Sequence, residues 1–544
     1  MTAIAAATGV TRRRLPPLAL LGAATIVAGA VLLPLVFLGL QAVQSGWGVL
    51  SPLLFRRLTA TLLWNTVRLT VAVTLLCAVI GVAAAWCTER TALPFRRFWK
   101  VALVLPLAVP DFVLGYGWIS LAPSVHGYRG SVLVMTLGSY PLVYLPVAAA
   151  LRSADPDLEE VARVLGLGRF RAFWRVTIHQ IRPALLGGCL LVALILLAEF
   201  GTFEILRFQT FTTEIFTEFQ IGFDTPAACA LSLVLVLIGL AVLGGEAAAR
   251  GRSGAARRSQ FGRKPAPVKL GRAAIPVLLG LAGLLGLAIG VPVAALVYWF
   301  AEGTSSTLPS TSILSAAGAT AGYSAAAAAV ATIAALPVAL LVERHRSKAS
   351  VLLERSTYVV HALPGLVVAL ALVYFSVRYL PQLYQSSTEM VGAYVIMFFP
   401  LALVAVRAGV AQAPTGLEEV ARSLGHGRLS ALMRITLPLL VPGAIAGFSL
   451  VFLSSATELT ATLVLHPTGV ETLATQFWAY TNDFSYGAAA PYALALLLVA
   501  MLPGILLGRW FERIAGSAPT LASRRCRPAS PSPSPASRSR STSG

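Results

Sequence analysis

Charge is scarce in this sequence. Asp, Glu, Lys and Arg make up only 12% of its 544 residues, about half the share of a soluble domain. With 57% hydrophobic residues beside that, an ordinary soluble enzyme or binding module is excluded. Lysine is scarcer still. The only four are Lys100, Lys264, Lys269 and Lys348, and none follows a glycine. A phosphate-binding P-loop needs Gly-Lys-Ser/Thr, so the chain has no nucleotide motor of that kind. Its five cysteines, Cys77, Cys87, Cys189, Cys229 and Cys526, form no CxxC pair, which argues against a disulfide framework or a thiolate metal cluster. The six histidines are equally scattered. Alternating short strands of the barrel type are missing.

What the sequence has in abundance is apolar runs of membrane-spanning length. A bilayer core of ~30 Å needs about 20 residues of helix, and twelve such runs fit. We place them at 15–43, 63–88, 101–122, 131–151, 184–201 and 226–249, then at 273–300, 319–342, 353–377, 390–409, 443–463 and 487–508. The expected fold is an all-α integral membrane protein. The first run is too long for a signal peptide and lacks a clear cleavage site, so it reads as a span. The net charge of +20 reports topology more than nucleic-acid binding. All but six of the 42 Lys and Arg residues fall on one side of these spans, the exceptions being Arg56, Arg57, Arg68, Arg129, Arg207 and Arg378. By the positive-inside rule that side is the cytoplasm, with both termini in it. The chain divides into an N-terminus (1–14), a first membrane domain (15–249), a basic linker (250–272), a second domain (273–510) and a low-complexity tail (511–544). Linker and tail read as solvated chain, or as segments whose arginines meet lipid head groups.

The two domains are a repeat. LEEVAR stands at Leu158–Arg163 and again at Leu417–Arg422, and 157–183 aligns with 416–442 without a gap. In the same register Glu199 meets Glu458 and Thr213 meets Thr472. An even number of spans in each half makes the halves parallel, related by a pseudo-two-fold along the membrane normal.

Each repeated loop has a helix–turn–helix pattern. Leu158, Val161, Ala162 and Leu165 fall at helical spacing, and Glu159 and Arg163 form an i,i+4 pair in the favoured order. Gly166 and Gly168 permit a sharp reversal, and a second apolar stripe follows. Leu417, Val420, Ala421 and Leu424 repeat the pattern, with Gly425 and Gly427 at the turn. Such a segment either lies on the inner leaflet or inserts into a groove on a cytoplasmic partner.

These residues carry a resemblance. Glu160, Ala162 and Gly166, with Glu419, Ala421 and Gly425, resemble the EAA loop of ABC importer permeases. The stretches LPLAVPDFVLGYGW, AEFGTFEILRFQTFTTEIF, HALPGLVVALALVYF and ATELTATLVLHPTGVETLATQFW resemble the fused two-domain permeases of ferric-iron importers. Thiamine, aminoethylphosphonate and polyamine permeases are close relatives. The resemblance implies about twelve helices in two halves of the MetI-like permease fold, in a bacterial plasma membrane. It also implies two copies of a cytoplasmic ABC ATPase, which would use the ATP and Mg, and an extracytoplasmic solute-binding protein. No cofactor or metal of the chain's own is implied, and no catalytic residue. The loop residues that would couple to the ATPases are Glu159, Glu160, Ala162, Gly166, Gly168 and Arg175, then Glu418, Glu419, Ala421, Gly425, Gly427 and Arg434. The family often has Leu-Pro in the second loop helix, as in Leu437-Pro438. The first copy reads Ile178-His179, which leads us to expect a different seating for that loop. A proton-coupled secondary transporter is the alternative of another class, and the doubled loop argues against it.

Three acidic residues stand inside apolar runs, where a carboxylate is costly and a functional candidate. Asp111 lies eleven residues past Lys100, ~17 Å along a helix and so near mid-bilayer. It can cap a helix break at Pro110, line a path, or pair with Arg68. The second half has Pro364-Gly365 there, so any path is asymmetric. Glu199 and Glu458 each lie 16 residues past the loop proline, ~24 Å along a helix. They are expected near the outer face, at a gate or as interfacial carboxylates.

Overall fold

A computed structural model describes residues 18–517 apart from 251–267, 303–310, 346, 361–362, 414 and 426. Our readings of the N-terminus, most of the linker and nearly all of the tail lie outside the described residues, as do two of the six histidines, His361 and His426. Among the described residues there is no strand, only an isolated bridge. Nine helices among the described residues are long and apolar enough to cross a membrane. The bent pair Arg96–Ala108 and Asp111–Leu121 and the shorter apolar helices Gly365–Tyr379 and Tyr486–Leu502 complete the expected twelve elements, six in each half.

Two expected straight spans are broken. In the first half the helix axis turns by 90° between Ala108 and Asp111. Pro110, with ψ at 140°, stands just before the second segment, and its missing N–H and fixed φ end one helix and start the next. Pro364 does the same before Gly365, with ψ at 144°. The fifth spans also end early, at Ala198 and Ala456. Beyond them come two short helices in each half, Gly201–Ile205 and Phe211–Gln220, then Thr460–Leu465 and Leu473–Asn482. The last helix runs to Ser517, past the boundary placed at 510.

The repeat register also changes along the chain. Thr213 Oγ1 accepts from Thr210 N at 2.9 Å, and Thr475 Oγ1 accepts from Thr472 N at 3.0 Å, each closing the N-terminus of the second short helix. Thr213 therefore corresponds to Thr475, not to Thr472. In the second half the first short helix is one residue longer and the connection after it, containing His466 and Gly469, is two residues longer, which together shift the alignment by three.

Each half has a tight three-helix centre. Arg57–Arg90 packs on Gly127–Ser153, which packs on Ile178–Ala198; Thr311–Arg344, Ser387–Gln412 and Leu437–Ala456 repeat this. Small residues permit the close approach: a Cβ on Gly188 would stand 2.8 Å from Val143 Cα. The first spans exchange partners. Leu18–Leu54 packs on Thr311–Arg344 and Gly365–Tyr379 of the second half as well as on Thr225–Arg250, with Phe37 4.9 Å from Phe375 ring to ring. Val291–Glu302, at the end of the seventh span, packs on Asp111–Leu121 of the first half. The two sequence domains thus interlock. The linker's last residues are also fixed: Val268 N donates to Arg90 O at 2.8 Å, and Ala92 N donates to Val268 O at 3.0 Å.

Candidate functional site

The repeated loops lie at one end of the bundle. Pro156–Val164 and Thr415–Ser423 are the short amphipathic helices expected from LEEVAR. Each ends on a left-handed glycine, Gly166 at φ 89° and Gly425 at φ 90°, a conformation that disfavours any Cβ. Gly168 and Gly427 are not left-handed and begin the next helix, accepting from Ala172 N and Ala431 N at 2.9 Å. Only the first glycine of each pair makes the reversal.

The chain then enters a π-turn, Phe173–Thr177 or Leu432–Thr436, before the long helix. Both copies follow this course. The Leu437-Pro438 and Ile178-His179 difference leaves this course unchanged: in both copies the π-turn runs directly into the long helix.

The loop helices divide their residues between two faces. Ala162 and Ala421 are buried against the chain itself. Leu158, Val161 and Leu165, with Leu417, Val420 and Leu424, stay exposed, Leu165 by 79% and Leu424 by 75%. Exposed apolar side chains on the long helices face lipid; on a charged loop they mark an unfilled contact. Trp174 and Met433 extend the two patches, and Glu160, Glu419, Arg175 and Arg434 are exposed beside them.

Glu159 and Glu418 point the other way. Glu159 Oε2 accepts from Thr177 Oγ1 at 3.1 Å instead of pairing with Arg163. Glu418 accepts from both Thr436 Oγ1 and Arg344. Burial works to raise the Glu418 pKa. The hydrogen bonds from Arg344 and Thr436, with the charges of Arg344 and Arg422, outweigh it and hold the carboxyl below its ordinary value.

The second site is a cavity of about 290 Å³ at the seam between the halves. Asp111, Pro110, Ser139 and Glu199 line it from the first half, Ser454 and Thr457 from the second. Glu199 therefore shares a chamber with Asp111 instead of marking a separate outer mouth. Counting 16 residues from the loop proline misplaced it, because two short helices still follow. Glu199 Oε1 accepts from Thr202 N at 2.8 Å and Thr202 Oγ1 at 2.7 Å, and Glu458 Oε1 accepts from Ala461 N at 2.9 Å. Both carboxylates hold the N-terminus of the first short helix. Asp111 Oδ1 lies 2.8 Å from where a Cβ of Gly138 would stand, and Glu458 Oε1 lies 2.9 Å from that of Gly365. Asp111 forms no ion pair with Arg68, whose guanidinium lies over the Tyr128 ring, 4.5 Å from its centre. Among the described residues no group of three or more His, Cys, Asp and Glu is placed to hold a metal ion.

Farther from the loops an aromatic layer closes the seam. Phe112 and Tyr116 meet Phe477 at 5.4 and 5.3 Å, Phe200 meets Trp478 at 5.3 Å, and Tyr116 Oη donates to Tyr486 O at 2.7 Å. Sequence reasoning missed this layer, since aromatics in apolar runs carry no pattern of their own. It also missed Glu89-Arg90 and Glu343-Arg344, one dipeptide closing the second span of each half; that repetition was the available signal.

The family model for the inner membrane component of binding-protein-dependent transport systems matches the chain twice, over residues 78–246 and 335–516. The chain is 38% identical over 502 residues to the Fe(3+)-transport system permease protein FbpB 2 of Haemophilus influenzae, covering 91% of this chain and 99% of that one. It is 24% identical to the ferric transport system permease protein FbpB of Actinobacillus pleuropneumoniae, over 82% of this chain and 70% of that one. The sulfate transport system permease protein CysT of Salmonella typhimurium is 30% identical over 43% of this chain and 92% of its own length, so a one-domain relative matches about half of this molecule. With two matched domains and a full-length relative, the chain belongs to the inner-membrane permease components of binding-protein-dependent transport systems.

Proposed function

We propose that this permease carries ferric iron inward, driven by ATP hydrolysis on two separate ATPase subunits and supplied by an extracytoplasmic binding protein. The observation that carries the cargo assignment is the 38% identity to the Haemophilus influenzae Fe(3+) permease across 99% of that protein. The seam cavity agrees with it. Asp111 and Glu199 line the chamber, and their carboxyl oxygens suit a metal cation in transit. The donors there are too few to trap a metal, as a channel requires.

The two exposed ridges at Leu158–Leu165 and Leu417–Leu424 are the docking faces, one for each ATPase, each entering a groove as an amphipathic helix. On this reading the loop end is cytoplasmic, as are both termini. Closure of the ATPases draws the loops together and opens the aromatic layer toward the binding protein, so that cargo passes by way of Asp111, Glu199 and Glu458.

The test is uptake of radiolabelled ferric iron, with thiamine and spermidine as parallel tracers, in cells with and without this gene. ATPase and binding protein are present in both. Gene-dependent iron uptake is expected, and Asp111→Asn with Glu199→Gln should reduce it at normal protein levels. A gene-dependent thiamine or spermidine signal without an iron signal would discard the iron assignment and keep the permease.

A further inference from the structure

The dipeptide at the end of each second span has two different jobs. Its glutamate gathers membrane helices. The Glu89 side chain is 2% exposed and takes Lys100 Nζ at 2.8 Å, Arg96 at 3.2 Å and Arg152 Nε at 3.5 Å. Lys100 and Arg96 belong to the bent third element, and Arg152 ends Gly127–Ser153. In the other half Arg407, near the end of Ser387–Gln412, bonds Glu343 at 2.5 Å and also bonds Glu354 of Lys348–Val360. In the first half the second, third and fourth elements are thus tied at the loop end; in the second half Lys348–Val360, the helix before Gly365–Tyr379, takes the place of the third.

The arginine stands one residue on, about 100° round the helix, and faces the loop. Arg344 donates to Glu418, which Thr436 also bonds. In the first half Glu159 is bonded by Thr177, and Arg90 is buried without an ion pair to it. Thr177 and Thr436 are buried at the end of the π-turns. A short helix hinged on one left-handed glycine swings freely unless something braces it. A charge pair with Arg344 and Glu418 only 16% and 22% exposed is screened less than a surface pair.

We propose that each Glu-Arg dipeptide is the joint through which displacement of a loop helix reaches the membrane helices. Glu159 and Glu418 are its positioning residues within the chain, while the exposed Glu160 and Glu419 are left for the ATPase. The inference rests on the docking role given to the loops above. The direct ion pair belongs to the second half, so the second loop is the more tightly geared.

The experiment uses the complete complex with its ATPase and binding protein in proteoliposomes, reading iron transported per ATP hydrolysed. Arg344→Gln is expected to keep the ATPase bound and hydrolysing while that ratio falls at least about fivefold, the low end of measured couplings. Arg90→Gln should fall less. Exchanging the charges, Arg344→Glu with Glu418→Arg, should recover most of the ratio. If Arg344→Gln fails to fold, Thr436→Val reads the same strut more gently. Unchanged ratios in the folded variants beside a coupled wild type overturn the joint. ATPase release by Arg344→Gln as complete as by Glu419→Gln also overturns it, because the pair would then be part of the docking face. A wild-type complex without ATP-dependent transport removes the importer reading and the joint with it, and is recognised by the failure of the control.

Discussion

Two glycines two residues apart give the sharpest test of how the loops are built. Gly166 is left-handed at φ 89°, Gly168 is not, and a Cβ at either would meet nothing within 4 Å. Steric crowding therefore cancels from the comparison, and only backbone conformation remains. Gly166→Ser should cost about 1–2 kcal/mol, the penalty for an L-residue in the left-handed region. Gly168→Ser should cost nothing or stabilise slightly, because serine is a favoured residue at a helix N-terminus and Gly168 accepts from Ala172 N there. About 1.4 kcal/mol is a tenfold change in an equilibrium, so local opening should rise roughly tenfold in one variant alone. Hydrogen exchange in nanodiscs reads this directly. The amides to follow are Gly166 N, bonded to Arg163 O at 3.0 Å, and Leu167 N, bonded to Ala162 O at 3.1 Å. Gly425→Ser and Gly427→Ser repeat the experiment in the second loop. Equal loss of protection in both members of a pair would refute the assignment of the reversal to the first glycine. Gly166→Pro also removes that N–H and cannot adopt the angle, costing about 3 kcal/mol or more, and should uncouple hydrolysis from transport.

Other substitutions probe the seam and the packing. Tyr116→Phe leaves the Tyr486 carbonyl without its 2.7 Å donor, and should cost about 1 kcal/mol, read as a lower midpoint of thermal unfolding in detergent. Gly188→Leu places its side chain where a Cβ already lies 2.8 Å from Val143 Cα, and should cost about 1–3 kcal/mol by overpacking on the same measurement. The Glu418 carboxyl is held below its ordinary pKa, so its contribution to loop order is complete above about pH 4.3. That contribution is lost as pH falls through the depressed folded value; exchange in the second loop should show the step, and Glu418→Gln should abolish it.

The apolar runs specified the fold well because span length and charge asymmetry are imposed by the bilayer, whatever the tertiary packing. The loops were legible for the same reason: amphipathic spacing and a glycine survive in a charged island. Three features were harder to read. A break at Pro110 was one of the readings that proline allowed, but the break at Pro364 interrupts a run whose hydropathy is continuous, and only the fixed φ of proline records it. The exchange of first spans, with Phe37 against Phe375, has no local signal, since a lipid-facing and a protein-facing apolar helix look alike. The inward turn of Glu159 and Glu418 was also invisible. Adjacent glutamates on a helix lie about 100° apart, and which of them faces inward depends on Thr177 and Thr436, beyond the turn of the same loop, and on Arg344 from the second span.

The repeat is kept where force enters and relaxed where cargo passes. Both loops share a reversal, a π-turn and a threonine-bonded glutamate. At the seam, Glu199 and Glu458 still cap equivalent short helices, which explains why both halves retain them. Asp111 has no such duty in common, for its counterpart Gly365 lies against the Glu458 carboxylate. An aspartate in place of Gly365 would press a second carboxylate against Glu458 in a low-dielectric seam, at a cost set by like-charge repulsion. The first half therefore carries an acid on its third element beside the one after its fifth, whereas the second half carries only the latter. A fused chain permits this asymmetry. Two identical single-domain subunits would have to carry both carboxylates twice, and fusion frees each half to hold its own charge.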